Sequence, residues 1–267
     1  MKLENGKYLG NNSHTFHMDG LIVSKTTYHE KVFEGWHFHE NNHLSFILEG
    51  GNREYRKNGE ETVLPGSIRL YHSGEWHRNS HTQHPSQNIN LEIEDSFLSH
   101  YEASFTPWSH SDLHTLQTRA SLTAIKIYHD CLAEDQHSHL SIHQQVLSLL
   151  QGAGNAHQPE KQLLAGRASE VATLLHDRWN ENISLQDLVA ITQLHPVTVS
   201  RHFSAYFRCS LGEYMRKIRV QKALTMIRQT EEPLTGIAYQ CGFFDQSHFI
   251  RAFREQTGFL PKAFRKL

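Results

Sequence analysis

Apolar positions along this chain change their rhythm part-way. Between residues 21 and 94 they come in short runs, such as Leu44-Ser45-Phe46-Ile47-Leu48, Ser67-Ile68-Arg69-Leu70-Tyr71 and Asn88-Ile89-Asn90-Leu91-Glu92-Ile93. Turn-forming stretches separate them: Glu49-Gly50-Gly51-Asn52, Lys57-Asn58-Gly59 and Leu64-Pro65-Gly66. Many short strands at that spacing predict a β-barrel or sandwich. After Asp95 the apolar period becomes helical. Leu122, Ile125 and Leu132 mark one helix, and Ile142, Val146, Leu149 and Leu150 another. Gln151-Gly152-Ala153-Gly154-Asn155 then interrupts the pattern and His157-Gln158-Pro159 reads as a helix start, which places a linker near 152–160.

Everything beyond the linker reads as helix. Ala168, Val171, Ala172, Leu175 and Trp179 form one apolar stripe. Ser184 and Asp187 resemble a capping box opening a short helix through Leu185, Leu188, Val189 and Ile191. A turn at Gln193-Leu194-His195 follows, and Pro196 suits the first position of the next helix. There Val199, Phe203 and Phe207 face inward, leaving Val197, Ser200, Arg201, Ser204 and Arg208 on the opposite face. A long helix from Leu211 to about Gln229 buries Tyr214, Ile218, Leu224 and Ile227. The pattern then repeats: a short helix through Leu234, Ile237 and Ala238, a turn at Cys241-Gly242-Phe243, and Asp245 as N-cap of a second exposed helix. In that helix Phe249 and Phe253 point in, while Gln246, Ser247, His248, Arg251 and Arg254 can point out.

Charge sharpens the division. From Arg167 to Leu267 there are 14 Lys and Arg against 9 Asp and Glu, a net +5. The preceding residues hold the other 12 basic and 19 acidic groups, a net −7. An acidic front and a basic back suggest that only the back meets a polyanion. Cys131, Cys209 and Cys241 are few and far apart, which argues against a disulfide framework and fits a reducing cytoplasm. No stretch approaches the roughly 20 apolar residues of a bilayer span. Residues Met1 through Gly10 lack the apolar run of a secretory signal.

The run from Ile237 to Phe249, continued by Arg251, Phe253, Gly258 and Pro261, resembles the AraC/XylS-family signature. The first unit is similar to it as well, through Leu185, Leu188, Val189, Ala190, Pro196, Ser200, Arg201 and Phe203. The resemblance covers about 165–267. It implies two helix-turn-helix units joined by a rigid helix and entering successive major grooves on one side of DNA. About 19 residues at 1.5 Å each give roughly 28 Å of helix, compatible with grooves about 34 Å apart. Carried over residue by residue, it makes Val197, Ser200 and Arg201 the base-facing positions of the first recognition helix, and Gln246, Ser247, His248 and Arg251 those of the second. Gln193 stands where the family commonly has Gly, and His195 where Ser usually caps. Both departures bear on the geometry of the first turn.

Residues 35–50 resemble the first cupin motif, with His37 and His39 as its H-x-H, His43 at its acidic position and Gly50 at its end. Gly66, Gly74, His77 and Asn79 partly supply the second motif, with His72 where Pro is usual. On one strand H-x-H turns both imidazoles to the same side. With His77, and with His43, the cluster offers three or four nitrogen donors to a metal. The alternative is residual hydrogen-bonding groups in an organic-ligand pocket, the expected reading because the acidic ligand is missing. Trp36, Phe38, Phe46, Tyr55, Tyr71 and Trp76 are expected to be mostly core. Trp36, His37, His39 and His77 are the candidate effector contacts. Arg53, Arg56 and Arg69 are expected at the solvated surface, with pairing to an acidic effector as the alternative.

The expectation is therefore an α+β multidomain protein. Residues 1–155 form a cupin-like effector-binding and dimerisation region, its barrel about 20–94 and its helices about 95–151. Residues 160–267 form an all-α DNA-binding bundle. The expected function is a cytoplasmic, non-enzymatic transcription regulator. Double-stranded DNA, a small-molecule effector and a second copy of the chain are its expected partners, and RNA polymerase a further contact. No cofactor is expected. A metal-responsive regulator using His37, His39 and His77 is the alternative, and a metal-dependent cupin enzyme with an appended module is the remaining one.

Overall fold

The strand-forming runs pair edge to edge without closing into a ring. The computed structural model describes residues 1–30, 32–81, 84–105, 113–133, 138–154 and 162–267. They divide into two compact units, the first comprising 1–107 and 123–150, the second 108–122 and 151–267.

The first unit carries β1 (Lys2–Leu3), β2 (Asn11–Met18), β3 (Leu21–Tyr28), β4 (Phe38–His39), β5 (Asn42–Glu49), β6 (Asn52–Arg56), β7 (Gly59–Val63), β8 (Ile68–Tyr71), β9 (His77–His81) and β10 (Ser86–Ile93). They make a five-stranded sheet in the order β2-β3-β10-β5-β8, a three-stranded sheet β7-β6-β9, and a parallel pair of β1 with β4. β10 lies at the centre, antiparallel to β3 on one side and β5 on the other. Among the described residues the ladders do not close, so the expected cupin barrel is corrected to separate sheets. The cause is local. Gly50 and Gly51 both take positive φ and turn the chain out of the larger sheet, so β6 pairs with β7 and β9 instead. A Cβ on Gly50 would stand 2.7 Å from the Ser86 Cα, so no larger residue fits that corner.

Val23, Leu44, Phe46, Ile89, Leu91 and Ile93 fill the core of this unit. Helix α1 (Asp95–His100) adds Phe97. Helix α2 (Leu113–Ala133) adds Ile125, Ile127 and Tyr128, and α3 (Ser138–Gly154) adds Ile142 and Val146. Because α3 runs through Gly154, the first three positions of the expected linker are helical, and its remaining positions, 155–160, lie outside the described residues. β2 is an element the apolar pattern did not reveal. It is a polar, mostly exposed edge strand.

The second unit is helical: α4 (Gln162–Asp177), α5 (Leu185–Thr192), α6 (Pro196–Phe207), α7 (Leu211–Gln229), α8 (Leu234–Gln240), α9 (Gln246–Thr257) and α10 (Pro261–Phe264). Val171, Leu175, Leu188, Val199, Phe203, Tyr214 and Ile218 form one core around α6 and the start of α7. Ile237, Phe249, Phe253 and Phe264 are buried on the other side, where α7 packs against α8, α9 and α10. Helix α7 therefore buries residues most of the way round, from Tyr214 and Met215 to Val220, Leu224 and Ile227, because it is the wall shared by both cores. Among the described residues no helix is long and apolar enough to cross a membrane.

Candidate nucleic-acid interface and imidazole cluster

Local chemistry fixes where α5 and α6 begin. Ser184 Oγ accepts from the Asp187 N–H at 3.3 Å, and the Ser184 N–H donates to Asp187 Oδ2 at 2.7 Å, completing the expected capping box. The Ser184 hydroxyl, which donates to Asp187 Oδ2 at 2.6 Å, and then the Ser184 N–H hold the Asp187 carboxyl below the usual carboxylate range. Helix α5 stops at Gln193, whose φ of 54° and ψ of 27° lie in the left-handed region, and whose N–H donates to Val189 O at 2.8 Å. The site where the family commonly has Gly thus needs a glycine conformation and receives it from a glutamine. Next, His195 Nδ1 accepts from the Val197 N–H at 3.4 Å, and Pro196 opens α6.

In α6 Val199, Phe203 and Phe207 are buried, while Val197, Ser200, Arg201 and Ser204 are exposed. Arg208 lies just past the helix end, also in the left-handed region. Val197 is 70% exposed, unusual for an apolar side chain at a helix start.

The second helix-turn-helix repeats the device with better-suited residues. Gly242 supplies the positive φ, 73°, and Asp245 accepts from the His248 N–H at 2.7 Å to cap α9. Phe249 and Phe253 are buried; Ser247, Arg251 and Arg254 are exposed. Gln246 and His248 are half-buried: Thr235 Oγ1 donates to Gln246 Oε1 at 2.7 Å, and the His248 ring meets Phe243 edge-on at 5.4 Å.

Arg219, which sequence reasoning missed, ties the two helix-turn-helix units to one another. From α7 its Nε donates to Trp179 O at 3.0 Å and its Nη2 to Glu181 O at 2.8 Å. A Cβ on Gly242 would stand 2.8 Å from Asn180 O and 3.2 Å from the Arg219 Cζ. The turn of the second unit therefore rests on the loop that precedes the first, and Arg219 pins that loop. An internal arginine of a long helix carries no sequence signal for such a role.

In the first unit His37, His39 and His77 are all buried, and their ligating atoms lie within 4.8 Å of one another. A backbone bridge between His37 and His77 brings the two motifs together. His37 Nδ1 lies 2.9 Å from Gly35 O, and His77 Nδ1 lies 3.0 Å from Glu75 O. Facing a carbonyl, each Nδ1 must carry the proton, so each lone pair sits on Nε2. The His43 ring lies 4.3 Å from His39 and stacks on Tyr71 at 4.4 Å. Burial, and then the neighbouring His77 and His37, lower the His39 pKa to about 2. Burial also holds His43 well below the usual imidazole value, and His77 below it. Neutral imidazoles are the result.

The rings surround a cavity of about 20 Å³ that Tyr8, Tyr28, Tyr71 and Asn88 also line. Tyr8 was not foreseen, since only the tertiary fold brings the N-terminal segment here. Two expectations are corrected. Trp36 and Trp76 are not core but 44% and 50% exposed, and Trp36 does not line the cavity, because the strand alternation that turns His37 inward turns its neighbour out. Arg56 and Arg69 are half-buried rather than at the open surface: both pair with the buried Glu54, which also accepts from the Tyr71 hydroxyl at 2.8 Å.

A family described as a helix-turn-helix domain matches residues 188–267. The RhaS transcriptional activator of an Enterobacter species is 29% identical over 100 residues, which are 38% of this chain and 36% of that protein. The regulator GbdR of Pseudomonas aeruginosa is 28% identical over 96 residues, 36% of this chain and 26% of that protein. Residues 188–267 form an AraC-type helix-turn-helix domain. The solved DNA-binding domain of AdpA in complex with a target DNA is 22% identical, covers 37% of this chain and 88% of that one, and superimposes with a TM-score of 0.35. The chain spans about a third of the length of the curated relatives it matches. Within the AraC-type domain the family match takes in most of α5 and all of α6 to α10.

Proposed function

We propose that this chain regulates transcription by binding specific double-stranded DNA through α6 and α9. One observation carries the reading: two capped helices on one shared strut each bury a phenylalanine pair and expose polar residues and an arginine on the opposite face. Helices of that build enter major grooves, where short polar groups near the N-terminus reach base edges and arginine reaches guanine or phosphate. The seven positions proposed to read bases are Val197, Ser200, Arg201, Gln246, Ser247, His248 and Arg251. The protein is a cytoplasmic homodimer in this reading, with no enzymatic step and with RNA polymerase as a further partner.

Ligand control belongs to the first unit, the one that resembles a cupin. Its imidazole-lined cavity, at about 20 Å³, has room for one ion or one water and none for an organic effector. A larger cavity of about 440 Å³ in the same unit, lined by Phe16, Met18, Cys131 and Ile142 with Asp130 and His139, has the size organic ligands take. A bound ligand changes DNA affinity only through different affinities for two arrangements of the chain.

The test is selection of tight sites from a random duplex library by the full-length protein, followed by titration against salt. The reading expects an enriched sequence and an affinity whose logarithm falls linearly with that of salt. Binding that is equally tight on enriched and scrambled duplexes sinks the claim of sequence reading.

A further inference from the structure

We infer that Phe244, at the entrance to α9, reads a thymine of the operator by packing on its 5-methyl group. The inference rests on the DNA-binding reading above and adds to it a residue outside the seven base-reading positions.

Three observations carry it. The first is exposure. Phe244 is 86% exposed, the most exposed large apolar side chain among the described residues, and so forgoes the stabilisation that burial would return. The second is position. Phe244 immediately precedes Asp245, the N-cap of α9, and Gln246 and Ser247 follow. Its neighbour Phe243 turns inward, buried with its ring centroid 5.2 Å from that of Phe249. Phe244 stands out of that core, at the same end of α9 as the exposed Ser247. A recognition helix brings that end to the base edges. The third is the contrast with the other helix-turn-helix. Leu194 holds the same place before His195, the N-cap of α6, and packs half-buried against the first core. A residue before the cap can thus serve packing, and Phe244 does not. In α6 it is Val197, two positions past the cap, that stays exposed. Each reading helix therefore exposes a large apolar side chain at its start.

The chemistry of the groove selects the contact. A phenyl ring has no hydrogen bond to give a base edge and no charge to give a phosphate. Among the groups that base pairs present in the major groove, the thymine methyl is the apolar one, and phenylalanine is a side chain that packs on it. Their contact takes both apolar surfaces out of water, which the free protein leaves undone at Phe244. Cytosine lacks the methyl, so the contact distinguishes thymine from the other pyrimidine without a polar group.

The decisive experiment uses the full-length protein and the operator enriched from the random duplex library. Each thymine is replaced in turn by uracil, which deletes the methyl and keeps the base pair. At one thymine the parent protein should lose about 4-fold in affinity, the worth of one methyl group taken out of water. Phe244→Ala should lose nothing at that position. On the unmodified operator it should bind at least 4-fold more weakly than the parent, by the same reckoning. Its thermal melt should match the parent's, because the side chain it removes already lies in water. A uracil series that costs parent and variant the same at every thymine overturns the inference. So does a variant that binds the operator as tightly as the parent, even if it no longer changes transcription, since Phe244 would then serve a protein partner. Either result with an operator still enriched leaves the DNA-binding reading standing, whereas a library that yields no enriched sequence overturns both.

Discussion

The two helix-turn-helix units use one plan with different workmanship. In the second, the turn residue is Gly242 at a φ of 73° and the cap is a carboxylate accepting at 2.7 Å. In the first, the same places hold Gln193, forced to a φ of 54°, and His195, whose ring nitrogen accepts at 3.4 Å. A side chain in the left-handed region costs about 1–2 kcal/mol, and a long contact to an imidazole caps less well than a charge-assisted one. The comparison teaches that α6 is held in place by its surroundings rather than by its own turn. Arg219 and the Phe203 core are those surroundings.

The largest effect expected is on the cores. Phe203→Ala and Phe253→Ala should each lower stability by roughly 3–5 kcal/mol in denaturant titrations, since each side chain is almost completely buried and leaves a cavity. A small loss for Phe203 alone would show that the first core is looser than its packing indicates. Arg219→Ala comes next. It removes two hydrogen bonds from a charged donor and should cost about 1.5–3 kcal/mol. It should also relax the preference for one spacing between the two halves of the operator, which a series of operators with inserted base pairs would reveal. An unchanged spacing preference would remove Arg219 from the strut.

Smaller effects separate the two turns. Asp245→Ala should cost about 1 kcal/mol, the usual value of an N-cap, and His195→Ala clearly less. Thermal melts of the two variants side by side test this, and equal losses would abolish the difference between the caps. Gln193→Gly should stabilise the protein by up to about 1 kcal/mol by removing the left-handed penalty, offset in part by the greater freedom of glycine when unfolded. A loss of stability would mean that the Gln193 side chain contributes contacts that outweigh its backbone.

The two halves of the chain differed in how much their sequence disclosed. Helices of the second unit follow from local rules: Ser184 with Asp187, Pro196, Asp245 and Gly242 mark ends that the structure reproduces, and the phenylalanine spacing marks the buried faces. Arg219 was illegible because its role depends on a loop some forty positions away. In the first unit, the apolar runs announced β5, β8 and β10, whereas β2 is polar at an exposed edge and gave no such signal. Whether strands close into a ring depends on pairing across long separations, so the turn at Gly50 and Gly51 overruled a plausible barrel. Alternation along the strand foretold that His37 and His39 share a side, and the same alternation should have placed Trp36 outside.

The central claim is that both helices read DNA, each in its own groove. Interference footprinting of the full-length protein on its selected operator tests this most directly, with the parent compared against Arg201→Ala and Arg251→Ala. Both arginines are exposed, opposite their buried phenylalanines, so neither change should unfold the domain. The account predicts two major-groove contact patches about one helical turn apart on one face of the duplex. Arg201→Ala should weaken one patch and Arg251→Ala the other, each with a loss of roughly 1–3 kcal/mol on the operator. A single patch, or two variants that bind the operator as well as the parent does, would contradict it.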